Sequence, residues 1–152
     1  MASFDVTVDV DAPVQRTWDA LTDWSSHGAW IPLTRVRVTS QGGRGVGAGF
    51  VGRTGVGPLA FDDPMVVQEW EPPRDGRPGR CAVRKTGRVV LGGASFTVAE
   101  RPGGSRVVWH EDVEVPPVAL TRRAAPLVAA GGRALFGLAL RRFARRVERA
   151  AA

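Results

Sequence analysis

Residues 94–117 read ASFTVAERPGGSRVVWHEDVEVPP. Two runs of alternating apolar and polar residues flank Pro102-Gly103-Gly104, so the stretch reads as a β-hairpin whose second strand covers residues 106–115. Pro116 and Pro117 stop that strand, because proline cannot donate to a sheet ladder. At period two, Val107, Trp109, Glu111, Val113 and Val115 share one face, and Arg106, Val108, His110, Asp112 and Glu114 share the other. The first face is apolar apart from Glu111. It is therefore the expected inner face, with one carboxylate aimed into a greasy interior.

The pattern continues in both directions. Strands are expected over residues 35–39, 46–54, 61–70, 80–86 and 94–100, with Gln41-Gly42-Gly43 and residues 71–76 as turns. Near the start, Phe4, Val6, Val8 and Val10 alternate with Asp5, Thr7, Asp9 and Asp11, a further half-buried strand. Asp11 stands where a helix N-cap would, Pro13 lies in the first turn, and Val14, Trp18 and Leu21 predict a short helix over residues 13–21. A second short helix is expected over residues 22–27, ended by Pro32. Past the proline pair, Phe136, Leu140, Phe143 and Val147 recur at four, three and four, one face of a long helix. Pro126 and Gly131-Gly132 predict a bend or loosening before Ala134. The reading is α+β, with one domain over residues 1–152. A curved seven-stranded antiparallel sheet closes on a long C-terminal helix, and two short helices lie between strands one and two.

Composition narrows the function classes. With 43% hydrophobic and 24% charged residues the chain is too apolar to be disordered. The net charge of +6 is local. From Val118 onward eight arginines face Glu148 alone, a net of +7, which leaves −1 for the preceding residues. Cys81 is the one cysteine, so no internal disulfide and no multi-thiolate site is expected. Met1 is followed by a strand-like segment with neither a basic nor an apolar leader region, and a cytoplasmic protein is expected.

Several phrases carry a family resemblance: Val10-Asp11-Ala12-Pro13, Trp18-Asp19-Ala20-Leu21-Thr22-Asp23, Trp30-Ile31-Pro32, Gly45-Val46-Gly47, Val67-Gln68-Glu69-Trp70-Glu71-Pro72-Pro73-Arg74 and Ser105-Arg106-Val107-Val108-Trp109. In this order they resemble the START-like, or Bet v 1-like (SRPBCC), superfamily, in its polyketide cyclase/dehydrase and lipid-transport branch. The resemblance implies a helix-grip fold enclosing a hydrophobic ligand cavity, without implying a reaction.

Candidate site residues follow from the two readings together. Phe50, Met65, Phe96, Val107, Trp109, Phe136 and Leu140 are the expected cavity wall, with Glu111 and Arg84 orienting a polar end of the ligand. Burial raises a carboxyl pKa, which suits Glu111 to hydrogen bonding or general-acid work; an ion pair with an arginine is the plainer role. Arg84 and Lys85 are adjacent, so one faces inward; parity leaves the choice open, and planar guanidinium chemistry favours Arg84. His27 falls in the second short helix, beside the implied cavity mouth, either as an acid/base group or as an exposed loop residue. No metal and no cofactor is expected. The histidine spacing matches no zinc motif, and Gly47-Ala48-Gly49-Phe50-Val51-Gly52, although G-x-G-x-x-G, runs on into a turn rather than a helix.

The expected function is binding, transport or sensing of a hydrophobic small molecule, lipid or polyketide-like. The alternative is a cyclase/dehydratase-type enzyme using Glu111 and His27 as acid/base groups. The arginine-rich face of the C-terminal helix offers transient contact with an anionic membrane. It lacks the interleaved aromatics that nucleic acid needs.

Overall fold

The computed structural model describes residues 1–152 apart from the side chain of Gln41. Strand β1 (Ala2–Val10) leads into helix α1 (Val14–Leu21) and a short 3-10 helix (Trp24–Ala29). Six strands follow: β2 (Thr34–Val38), β3 (Gly49–Thr54), β4 (Phe61–Glu71), β5 (Gly79–Lys85), β6 (Leu91–Arg101) and β7 (Gly104–Glu114). Helix α2 (Val118–Arg123) turns the chain into α3 (Ala125–Ala151). The seven strands form one antiparallel sheet in the order β1-β7-β6-β5-β4-β3-β2, curled around α3. This α+β arrangement is the helix-grip fold.

Period-two and period-3.6 burial build the core. On β7, Val107, Trp109 and Glu111 are buried; on β6 across the ladder, Ala94, Phe96 and Val98 face the same way. On α3, Leu140, Phe143 and Val147 are buried and Phe136 packs at the rim of the core, the face that their spacing predicts. Trp30 closes on Phe143 with ring centroids 5.2 Å apart, and Trp18 packs edge-on against Trp70 at 5.4 Å. Helix α1 is stitched to β7 by buried hydroxyls. Thr17 Oγ1 donates to Ser105 Oγ at 2.7 Å, because Ser105 spends its own proton on the Ala12 carbonyl at 3.0 Å.

Several sequence expectations are corrected. Asp11 does not cap α1: the capping position is Pro13, with no side-chain cap, and the Asp11 carboxylate pairs with Arg101 instead. Pro126 is the second residue of α3, where its missing N–H breaks nothing, so α3 starts there rather than bending. Gly132 does not loosen α3 either; a Cβ there would lie 2.3 Å from Cε1 of Phe4, so the glycine lets helix and β1 approach. The strand expected over residues 46–54 starts at Gly49, since Gly45 and Gly47 adopt positive φ (84° and 87°) in the preceding turn.

A bulge between Val67 and Glu69 changes which residues of β4 face inward. Met65 and Val67 pair with Lys85 and Val83, and beyond the bulge it is Trp70 that pairs with Cys81. Among the described residues no helix is long and apolar enough to cross a membrane.

Candidate functional site

Between the inner sheet face and α3 lies a cavity of about 100 Å³. Five aromatic side chains line it, Trp24, Phe50, Phe96, Trp109 and Phe136, with Met65, Ile31, Val36 and Val83 among the aliphatic residues between them. Trp24 stacks on Phe50 (centroids 4.2 Å, planes 11° apart), and Trp109 lies between Phe96 and Phe136, stacked on both. The Trp24 indole N–H is held outside this apolar set, donating to the Gly43 carbonyl at 2.6 Å.

Three ionisable side chains gather on the wall. Lys85 Nζ lies 2.5 Å from Asp63 Oδ2 and 3.6 Å from Glu111 Oε1; the second distance is an ion pair, too long for a hydrogen bond. All three side chains are largely hidden, with Lys85 and Glu111 each 6% exposed and Asp63 12%. The Trp109 indole donates to Glu111 Oε2 at 3.3 Å. Burial pushes the Glu111 carboxyl up from its ordinary value, and the Lys85 ammonium and the Trp109 bond only partly counter that. Asp63 Oδ1 is buried with no hydrogen-bond partner among the described residues. Elsewhere on the wall, Thr34 Oγ1 donates to the Pro32 carbonyl and accepts from Thr54 Oγ1 at 3.0 Å.

His27 is 4% exposed, packed between Trp24 and Trp30, and it lines the same cavity as Glu111. Its Nε2–H donates to the Leu21 carbonyl at 2.8 Å, leaving Nδ1 unprotonated. Desolvation lowers its pKa to about 4, so the ring is neutral at physiological pH and a weak base. It is not an exposed loop residue. His110 sits on the outer face of the sheet between Asp5 and Asp112.

Of the expected wall residues, Phe50, Met65, Phe96, Trp109, Glu111 and Phe136 line the cavity; Val107 and Leu140 are fully buried beside it in the core. Arg84 is a correction: it is exposed, and Lys85 takes the inward position. Cys81 and Val83 are buried on the face that Lys85 extends, whereas Arg84 belongs to the opposite set. Asp63 is a residue that the sequence reading missed. The signal was present in its alternation with Met65 and Val67, which puts Asp63 rather than Asp62 inward. Cys81 is buried, and desolvation pushes its thiol up to about 12, which removes it as a nucleophile. Among the described residues no group of three or more His, Cys, Asp or Glu could hold a metal ion. The G-x-G-x-x-G segment enters β3, with no helix N-terminus to receive a phosphate.

Sequence comparison with curated proteins finds no match. Solved structures are similar in fold. TTHA0849 from Thermus thermophilus superposes with a TM-score of 0.80 at 13% identity, covering 99% of each chain. The Zhui aromatase/cyclase from Streptomyces sp. R1128 gives 0.69 at 18% identity, covering 97% of this chain and 93% of that one. A norcoclaurine synthase point mutant from Thalictrum, in complex with a transition-state analogue, gives 0.69 at 13%, covering 99% and 96%. A sequence profile described as polyketide cyclase / dehydrase and lipid transport matches residues 1–148, and the chain belongs to that family.

Proposed function

We propose that the protein binds a small hydrophobic molecule between the sheet and α3, as a carrier or sensor. The observation that carries this reading is the cavity, lined by five aromatic side chains, with Asp63, Lys85 and Glu111 on its wall. Apolar burial, at roughly 25 cal/mol per Å², drives ligand entry, and the charged end sets orientation. At about 100 Å³ the cavity is well below the roughly 300–1,000 Å³ of sites for drug-sized ligands. A long acyl chain or a multi-ring polyketide requires the walls to part, and a single ring asks least of them. Native mass spectrometry before and after organic extraction tests the reading. Retained small-molecule mass released unchanged supports a carrier or sensor. An apo protein that also fails to bind any apolar probe overturns it.

A second reading, a cyclase/dehydratase-type enzyme, is favoured by one observation: a carboxyl biased toward its protonated form beside an ammonium group. In that role Glu111 gives a proton to a substrate oxygen and Lys85 stabilises the charge that develops there. His27, neutral and bound to Leu21, orients rather than titrates. Glu111→Gln separates the readings, since it removes turnover but spares binding.

We also propose transient contact with anionic membranes. Exposed Leu33 and Val56 share a surface groove with Arg35, Arg53 and Arg146, and Arg142, Arg145 and Arg149 line the adjoining one. Salt-sensitive sedimentation with phosphatidylglycerol vesicles, and none with phosphatidylcholine, is the expected result.

A further inference from the structure

We infer that the cavity selects a neutral, single-ring hydroxyaromatic molecule, a phenol, whose hydroxyl is received at the Asp63–Lys85–Glu111 end. The inference rests on the binding reading above and names the ligand class of that site. Size comes first. The cavity, at about 100 Å³, is of the order of the roughly 150 Å³ apolar cavity that holds benzene in another protein. The wall supplies aromatic faces from Trp24, Phe50, Phe96, Trp109 and Phe136, against which a flat ring packs better than a branched or flexible chain.

Charge at the polar end then decides the substituent. Two carboxyl groups flank one ammonium, so a ligand carboxylate would bring a third acid to a single cation in apolar surroundings. A ligand ammonium would have to shed its water at the same place. The Lys85 ammonium, 2.5 Å from Asp63 Oδ2 and 3.6 Å from Glu111 Oε1, already fills the place between the two carboxyl groups, and a second cation there would meet it at close range. What this end lacks is a hydrogen-bond donor: Asp63 Oδ1 is buried without one among the described residues, while Oδ2 holds Lys85. A phenolic O–H supplies that donor without adding charge, and its oxygen accepts from the Glu111 carboxyl or the Lys85 ammonium.

The test titrates the purified protein with toluene, phenol, benzylamine and benzoate. Fluorescence of the cavity-wall residues Trp24 and Trp109 reports binding, and calorimetry supplies Kd. Phenol is expected to bind about tenfold tighter than toluene or more, with benzylamine and benzoate weaker than phenol. Toluene binding as tightly as phenol, or a charged probe binding tightest, overturns the inference but leaves the cavity a ligand site. No binding by any probe overturns both. Asp63→Leu, which leaves Lys85 paired with Glu111, is expected to bring phenol down to the toluene level with toluene unchanged. Glu111→Gln, which keeps a donor and an acceptor, is expected to retain the preference. Retention of the preference in Asp63→Leu refutes the assigned role of Asp63.

Discussion

Lys85→Met isolates what the buried ammonium does for the fold. Methionine keeps the length of the stem and adapts to irregular space, so the change is largely one of charge. At an effective dielectric constant of about 20, unit charges 2.5 Å apart attract by about 7 kcal/mol, and those 3.6 Å apart by about 5 kcal/mol. Desolvation of the three groups consumes part of this, and removing one partner of a buried pair costs about 3–5 kcal/mol net. For a chain of this length each kcal/mol lowers Tm by about 2–4 °C, so a fall of about 6–20 °C is expected at pH 7. Urea unfolding followed by tryptophan fluorescence gives the free energy directly. The deficit has a sign in pH. The Lys85 charge is what holds the buried Glu111 carboxyl down, so without it the Glu111 pKa rises further above its ordinary value and the variant recovers toward wild type as pH falls. The control removes all three groups together: Asp63→Leu/Lys85→Met/Glu111→Leu is expected to be within about 1 kcal/mol of wild type or more stable, because no charge is left unpaired. A loss under about 1 kcal/mol in Lys85→Met, or a deficit indifferent to pH, refutes the claim that the three act as one electrostatic unit.

Two adjacent glycines of α3 should respond oppositely to alanine. Gly131→Ala meets open space in a helix interior and is expected to stabilise by about 0.5–1 kcal/mol, whereas Gly132→Ala drives a Cβ into Phe4 and is expected to cost about 1–3 kcal/mol, both read from thermal unfolding. His27 stays neutral in the fold down to about pH 4 but takes a proton near 6.5 when unfolded, so it lowers stability as pH falls from 6.5 to 4 by up to about 3 kcal/mol. Glu111, raised from 4.5, works the other way, losing stability as pH rises above that value. Stability measured from pH 4 to 7 should therefore flatten for His27→Gln and steepen with pH for Glu111→Gln; unchanged slopes in both overturn these assignments. Phe143→Ala, which empties a fully buried contact with Trp30, is expected to cost about 3–5 kcal/mol in urea unfolding.

The fold was legible wherever one periodicity ran uninterrupted. Val107, Trp109 and Glu111 keep a period of two over a strand without a bulge, and Phe136, Leu140, Phe143 and Val147 keep the helical one, so both inner faces could be read directly. The polar end of the site was not. Cys81-Val83-Lys85 and Ala82-Arg84-Thr86 are equally half-apolar, and the tie is broken only by the ladder to β4, where Lys85 pairs with Met65 of the cavity wall and Val83 with buried Val67. His27 differs from its sequence reading for another reason. Its burial comes from Trp24 and Trp30 closing over a polar ring that finds its partner in the Leu21 carbonyl, a contact between segments that no periodicity describes. Pro126 falls in the first turn of α3, where intrinsic preference admits it, and only at Gly132, against Phe4, does tertiary packing override that preference.

The backbone and the side chains bear on function unequally. Structures only 13–18% identical to this chain share its backbone path over nearly its whole length, and what they share is the place where space can exist, between a curled sheet and its gripped helix. How much space remains is set by side chains. Here five aromatic side chains line it in two stacks, Trp24 on Phe50 and Trp109 between Phe96 and Phe136, and about 100 Å³ is left. A close-packed aromatic wall yields little without losing contacts, so a larger ligand would have to separate rings that now stack. Family membership therefore accounts for the cavity, while its capacity and its single charged end argue for a ligand smaller than the lipids and polyketides in the family's name. Truncating the wall distinguishes the two influences. Phe50→Ala is expected to admit two-ring probes such as naphthol that the parent protein excludes, with phenol still bound at the unaltered polar end. Equal naphthol binding by both proteins would mean that the wall opens on its own and that the stacked rings do not limit the ligand.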